Sequence, residues 1–76
     1  MNHIKSIIAK DDYMLEVLLE NGCSIILNMK SRLNTLRFGM LADEDFFKTA
    51  TTDGTCIVWD NKIEISLSEV FQMAQK

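Results

Sequence analysis

Few side chains in this 76-residue chain could carry out chemistry: one histidine (His3), two cysteines (Cys23 and Cys56) and the acidic run Asp43-Glu44-Asp45. Nucleophilic catalysis needs a hydroxyl or thiol beside a positioned base. With the only imidazole three residues from the start of the sequence, a Ser–His or Cys–His pair is not expected. A zinc centre needs about four clustered N or S ligands, whereas Cys23 and Cys56 stand 33 positions apart with no CxxC. They read as two small buried hydrophobes in a reducing compartment. Glycines at 22, 39 and 54 form no phosphate-binding loop. The three acids fit the start of a helix, where carboxylates complement exposed amides. Neither a catalytic residue, a metal ligand nor a cofactor-binding residue is therefore expected.

Two features remain as binding candidates. The segment NMKSRLNTLRF holds Lys30, Arg32 and Arg37 with no acid among them, a set suited to phosphate or an acidic partner, or simply a solvated helix face. Across the chain, eight basic residues stand against eleven acidic ones, for a net charge of −3. That balance disfavours non-specific nucleic-acid binding, which draws on counterion release by cations. The second feature is Trp59, the single tryptophan. Its ring reads either as core, with the indole N–H bonded to backbone or water, or as an anchor at an interface, where tryptophan is enriched.

The elements that must position these residues follow from periodicity. Ile4, Ile7 and Ile8 mark a first strand over residues 3–9, followed by turn chemistry at Asp11-Asp12. Tyr13, Leu15, Val17 and Leu19 then alternate with Met14, Glu16, Leu18 and Glu20. Asn21-Gly22 suits a two-residue type I′ turn, and Cys23, Ile25, Leu27 and Met29 resume the alternation. Met29, Leu33, Leu36 and Met40 recur at steps of four, three and four, as on a short helix or helical turn closed by Gly39. DEDFFKTA reads as a second helical turn with Phe46 or Phe47 inward, and residues 48–52 as a short strand. Asp53-Gly54 is a further two-residue hairpin signal before the strand holding Ile57 and Trp59. After Asp60-Asn61, Ile63 and Ile65 continue the apolar face.

Ser66-Leu67-Ser68-Glu69 fits a capping box, with Ile65 and Val70 as its hydrophobic staple. Leu67, Val70, Phe71 and Ala74 then form an apolar helical stripe. The expected fold is one α+β domain over residues 1–76, in the order β-β-β-α-β-β-β-α. Its small antiparallel sheet carries the C-terminal helix on one face.

That architecture has a consequence for function. Met14 and Leu18 lie opposite the Tyr13–Leu19 face, and Ile26 joins them from the next strand. One helix covers one face of a sheet, so these residues, with Trp59, are the candidate protein interface.

Two stretches, IKSIIAKDDYMLEVLLENG and LADEDFFKTATTDGTCIVWDNKIEI, resemble the small bacterial family known as domain of unknown function 2442. The likeness rests on Asp11, Asp12 and Tyr13; on Glu20, Asn21 and Gly22; on Leu41, Asp43 and Phe47; and on Ile57, Trp59 and Asn61. Lys62 departs from it, standing where that family usually has glycine, so a different turn is expected there. The resemblance implies no established activity. Some members look fused to helix-turn-helix domains, and others sit in pairs resembling toxin–antitoxin modules.

The expectation is a non-enzymatic protein-interaction module without a cofactor: a toxin–antitoxin component, antitoxin-like, or a self-associating adaptor, forming a homo-oligomer or binding a small protein partner. The alternatives are a nucleic-acid-associated component of a transcriptional regulator, working through Lys30, Arg32 and Arg37, and a small-ligand-binding domain. The start, MNHIKSIIAKDDY, reads as no signal peptide, and no apolar run approaches the ~20 residues of a membrane span. A cytoplasmic location with no membrane partner is expected.

Overall fold

The computed structural model describes residues 3–74. Six strands and two helices follow one another as β1 (Ile4–Lys10), β2 (Met14–Leu19), β3 (Ser24–Asn28), α1 (Glu44–Phe47), β4 (Thr51–Thr52), β5 (Cys56–Trp59), β6 (Ile63–Ser66) and α2 (Leu67–Ala74). Pairing is antiparallel throughout, and the class is mixed α+β. The strands divide into two sheets, β1-β2-β3 and β4-β5-β6, where one sheet was expected. The reason lies in residues 29–50, whose 3-10 turns and α1 carry the chain away from β3 before β4 begins.

Alternation decides what each sheet buries. Leu15, Val17 and Leu19 of β2 point inward with Ile4 and Leu27, meeting Ile57, Trp59, Ile63 and Ile65 of the second sheet in one core. Burial of such side chains contributes ~1.5–3 kcal/mol each. The sheets are also joined through backbone, the Ile4 N–H donating to the Gly54 carbonyl at 2.7 Å. The C-terminal helix α2 packs against β3 and β6. It buries Val70 fully, with Leu67 and Met73 partly covered. Phe71 and Ala74, expected on the inner stripe, are exposed. Its capping box forms as expected: the Glu69 N–H donates to Ser66 Oγ at 3.2 Å and the Ser66 N–H to Glu69 Oε1 at 3.4 Å.

Turn chemistry departs from expectation at the β2–β3 hairpin. Only Gly22 takes positive φ there, +93°, and its N–H bonds the Leu19 carbonyl at 3.1 Å. The loop is therefore three residues, Glu20 to Gly22, with glycine in the left-handed position of a bulged hairpin rather than a type I′ pair. Asp60 and Asn61 instead carry the paired left-handed φ values, 52° and 58°. Lys62 stays out of that region and donates its N–H to the Trp59 carbonyl at 2.9 Å. A lysine after Asn61 is thus accommodated without strain.

The connection between β3 and α1 forms helical turns, as 3-10 turns over Lys30–Arg32 and Gly39–Ala42, but not a helix with the expected apolar stripe. Met29 is fully buried, but Leu36 is fully exposed and Met40 half exposed, so their common stripe does not exist. Phe38 and Leu41 enter the core instead. Strand β4 is shorter than the expected 48–52, because the 3-10 and α1 turns extend to Phe47 and a turn follows.

Candidate interaction surface

Strand register sets out the outer face of the first sheet as a three-by-three grid. Its rows are Ser6, Leu18, Ser24; Ile8, Glu16, Ile26; and Lys10, Met14, Asn28. Directly opposed side chains share a face. Ile8 is 46% exposed and Ile26 49%, while Met14 and Leu18 on the central strand are half-buried between them. At the centre, Lys10 Nζ meets Glu16 Oε1 at 3.0 Å, so the two charges neutralise one another in the midst of the apolar cross. Met14, Leu18 and Ile26 therefore come together, and Ile8 joins them. Sequence reasoning placed Ile8 in β1 but missed its orientation, since Ile7 and Ile8 are adjacent apolar residues and only the register with β2 separates them.

Trp59 does not belong to this surface. Its ring is 0% exposed, stacks at 6.4 Å on Phe47 with an interplanar angle of 28°, and donates Nε1–H to the Phe47 carbonyl at 2.9 Å. Phe47 in turn packs in a T-shape with Tyr13, their ring centroids 5.5 Å apart, and the Tyr13 hydroxyl donates to the Ala42 carbonyl. The aromatic column ties the β1–β2 turn, α1 and the second sheet together. Trp59 as an interface residue is corrected to core: its face of β5 is the one turned toward the first sheet.

The basic candidates part company. Arg37 donates to Glu69 Oε2 at 2.6 Å and Oε1 at 3.0 Å, and to the Glu64 carbonyl at 2.8 Å, with its guanidinium 4.9 Å from the Phe38 ring centroid. The hydrogen bond from Arg37, followed by the Ser66 N–H and the guanidinium charge, holds the Glu69 carboxyl below the ordinary glutamate range. The same hydrogen bond raises Arg37 and keeps it charged. Lys30 pairs with Asp12 at 3.0 Å. Arg32 forms no ion pair among the described residues and borders a shallow groove with Arg37, Phe38, Glu69, Gln72 and Met73. Two of the three cations are thus neutralised locally by acids distant in sequence.

The acidic run behaves as a cap: Asp43 Oδ1 accepts the Asp45 N–H at 3.0 Å. The aspartate with the densest set of donors is Asp53, whose Oδ1 accepts the N–H groups of Thr55 and Cys56, both at 2.9 Å, and the Thr55 hydroxyl at 3.0 Å. These donors, the Thr55 amide foremost, lower its pKa. The resulting turn spans four residues between Thr52 and Ile57, not two. Cys23 is exposed and Cys56 half-buried, contrary to the expectation of two buried thiols. Cys23 lies beyond the last strand pair at the hairpin end, where nothing covers it. The Thr55 hydroxyl favours the Cys56 thiolate, but burial together with Glu64 and Asp53 outweighs it and pushes the thiol up. That environment is the reverse of an activated nucleophile's.

Among the described residues, no three His, Cys, Asp or Glu side chains converge, and no helix is long and apolar enough to cross a membrane. No family model matches the chain, and comparison with curated proteins and with solved structures gives no significant match.

Proposed function

We propose that this chain is a non-catalytic protein-interaction module whose contact surface is the outer face of β1-β2-β3. The observation that carries the reading is the grouping of Ile8, Met14, Leu18 and Ile26 around an internally neutralised Lys10–Glu16 pair. Contiguous apolar patches on a small protein mark contact sites. A neutral pair at the centre lets the patch approach another surface without bringing net charge into it. A 76-residue chain also has a small core, for which association is a common remedy. The resemblance to the domain of unknown function 2442 family adds a partner class, a second small protein as in toxin–antitoxin pairs.

The test is sizing with light scattering and affinity co-purification from the native cell, comparing the natural chain with Leu18→Lys. Capture of one small protein, lost in Leu18→Lys while the fold is retained, is the expected result. Unchanged capture in that variant refutes the reading.

A further inference from the structure

We infer that the partner seated at β3 is a second copy of this chain, added strand to strand along the free edge of the first sheet. The inference rests on the proposed role of that sheet as an interaction surface and names its occupant.

Hydrogen-bond parity settles which backbone groups β3 offers. The Leu19 N–H donates to the Cys23 carbonyl at 2.8 Å and the Met29 N–H to the Tyr13 carbonyl at 3.0 Å, so odd-numbered partners exchange bonds across β2 and β3. In an antiparallel ladder bonded and non-bonded pairs alternate. Leu18/Ser24, Glu16/Ile26 and Met14/Asn28 are consequently the non-bonded pairs. The N–H and C=O groups of Ser24, Ile26 and Asn28 point away from β2, toward the edge. Among the described residues none of these groups has a partner; Asn28 is engaged only through its side chain, which accepts the Lys30 N–H at 2.9 Å.

Proteins protect such edges with charge, brevity or cover, and the other edges here have that protection. Strand β4 has two residues. In β6 the Glu64 carbonyl is taken by Arg37. Strand β1 carries Lys5 and Lys10 and is tied to Gly54. Strand β3 reads Ser-Ile-Ile-Leu-Asn, without charge or proline; α2 packs against it, yet its outer residues Ser24, Ile26 and Asn28 all stay exposed.

The edge is also complementary to itself. A two-fold axis at Ile26 sets Ile26 of one copy against Ile26 of the other, and Ser24 against Asn28 twice. Every outward N–H then meets an outward C=O, with two hydrogen bonds for each of the three pairs. No charge faces a like charge, and the −3 carried by each chain lies outside the contact, screened beyond ~8 Å at physiological salt. Pairing joins the two outer faces into one six-stranded surface bearing Ile8, Met14, Leu18 and Ile26 twice.

Light scattering on the full chain across a concentration series should give twice the chain mass. Ser24→Pro removes an outward N–H that makes no bond to β2, so the dimer should be lost with far-ultraviolet circular dichroism unchanged. Ile26→Lys and Ile26→Glu should each be monomeric, since the axis sets like charges opposite, and an equimolar mixture should recover the dimer mass. That recovery requires residue 26 to face residue 26, and a fold defect would not produce it. A natural chain that stays monomeric at its highest soluble concentration overturns the inference, as does a Ser24→Pro dimer or a mixture that fails to recover. If the monomer still captures a small protein that Leu18→Lys releases, the pairing falls and the interaction role stands.

Discussion

Arg37 holds Glu69 with both arms of its guanidinium, at 2.6 and 3.0 Å, across 32 positions of sequence. Glu69 is simultaneously the reciprocal half of the α2 capping box, so one carboxylate fastens the β3–α1 connection, the end of β6 and the start of the helix. The pair is substantially exposed, and isolated exposed pairs contribute at most ~1 kcal/mol. Arg37→Ala should cost about 1 kcal/mol in urea unfolding, and Arg37→Lys should recover little of it, because an ammonium cannot make the fork.

Acid should expose the same linkage. A carboxyl held low in the folded state adds stability above its unfolded pKa and loses it as pH falls through the folded value. Glu69, held low chiefly by Arg37, and Asp53, held low chiefly by the Thr55 amide, both act in this sense. Stability should therefore decline below about pH 4.3, and less steeply in Glu69→Gln. Thermal melts at a series of pH values measure this; an identical slope in the variant contradicts the assignment.

Trp59 fills the middle of the aromatic column with its N–H satisfied by Phe47. Trp59→Phe should cost about 2 kcal/mol or more, through the lost bond and an unfilled volume. Tryptophan emission in the natural chain should shift to the red only on global unfolding.

At the β5–β6 turn the left-handed φ values fall on Asp60 and Asn61 and not on Lys62. Lys62→Gly should therefore destabilise slightly, by about 0.5–1 kcal/mol of added unfolded-state freedom. Asn61→Gly should be neutral or stabilising. The reverse order in chemical denaturation would place the strained residue elsewhere.

Leu36 projects fully into solvent, whereas Leu41 is wholly buried. Leu36→Ser should change stability by less than ~0.5 kcal/mol, and Leu41→Ala should cost about 2–5 kcal/mol.

These contrasts show where the sequence was readable. Period-two spacing located the β2–β3 and β5–β6 hairpins, and the Ser66–Glu69 spacing located the α2 cap, because both signals depend on residues close in sequence. The β2–β3 turn type was not legible, since Asn21-Gly22 supports either a two- or a three-residue loop and the register decides. Residues 29–41 misled for a different reason. Their four-three-four spacing matched a helix, but the core draws in Phe38 and Leu41, a tertiary choice without local signature. The outer face was legible in Met14, Leu18 and Ile26, on strands of clear alternation. Arg37 looked free because its acceptor lies on an element whose placement no local pattern gives.

The Ile4–Gly54 hydrogen bond closes the N-terminal strand against a turn fifty residues later. During synthesis, β1 to β3 emerge early with their inner leucines and isoleucines unsheltered, and shelter arrives only with Ile57, Trp59, Ile63 and Ile65. The inner face of the first sheet is therefore sheltered only once β5 and β6 are in place, so the two sheets should form and melt as one cooperative unit.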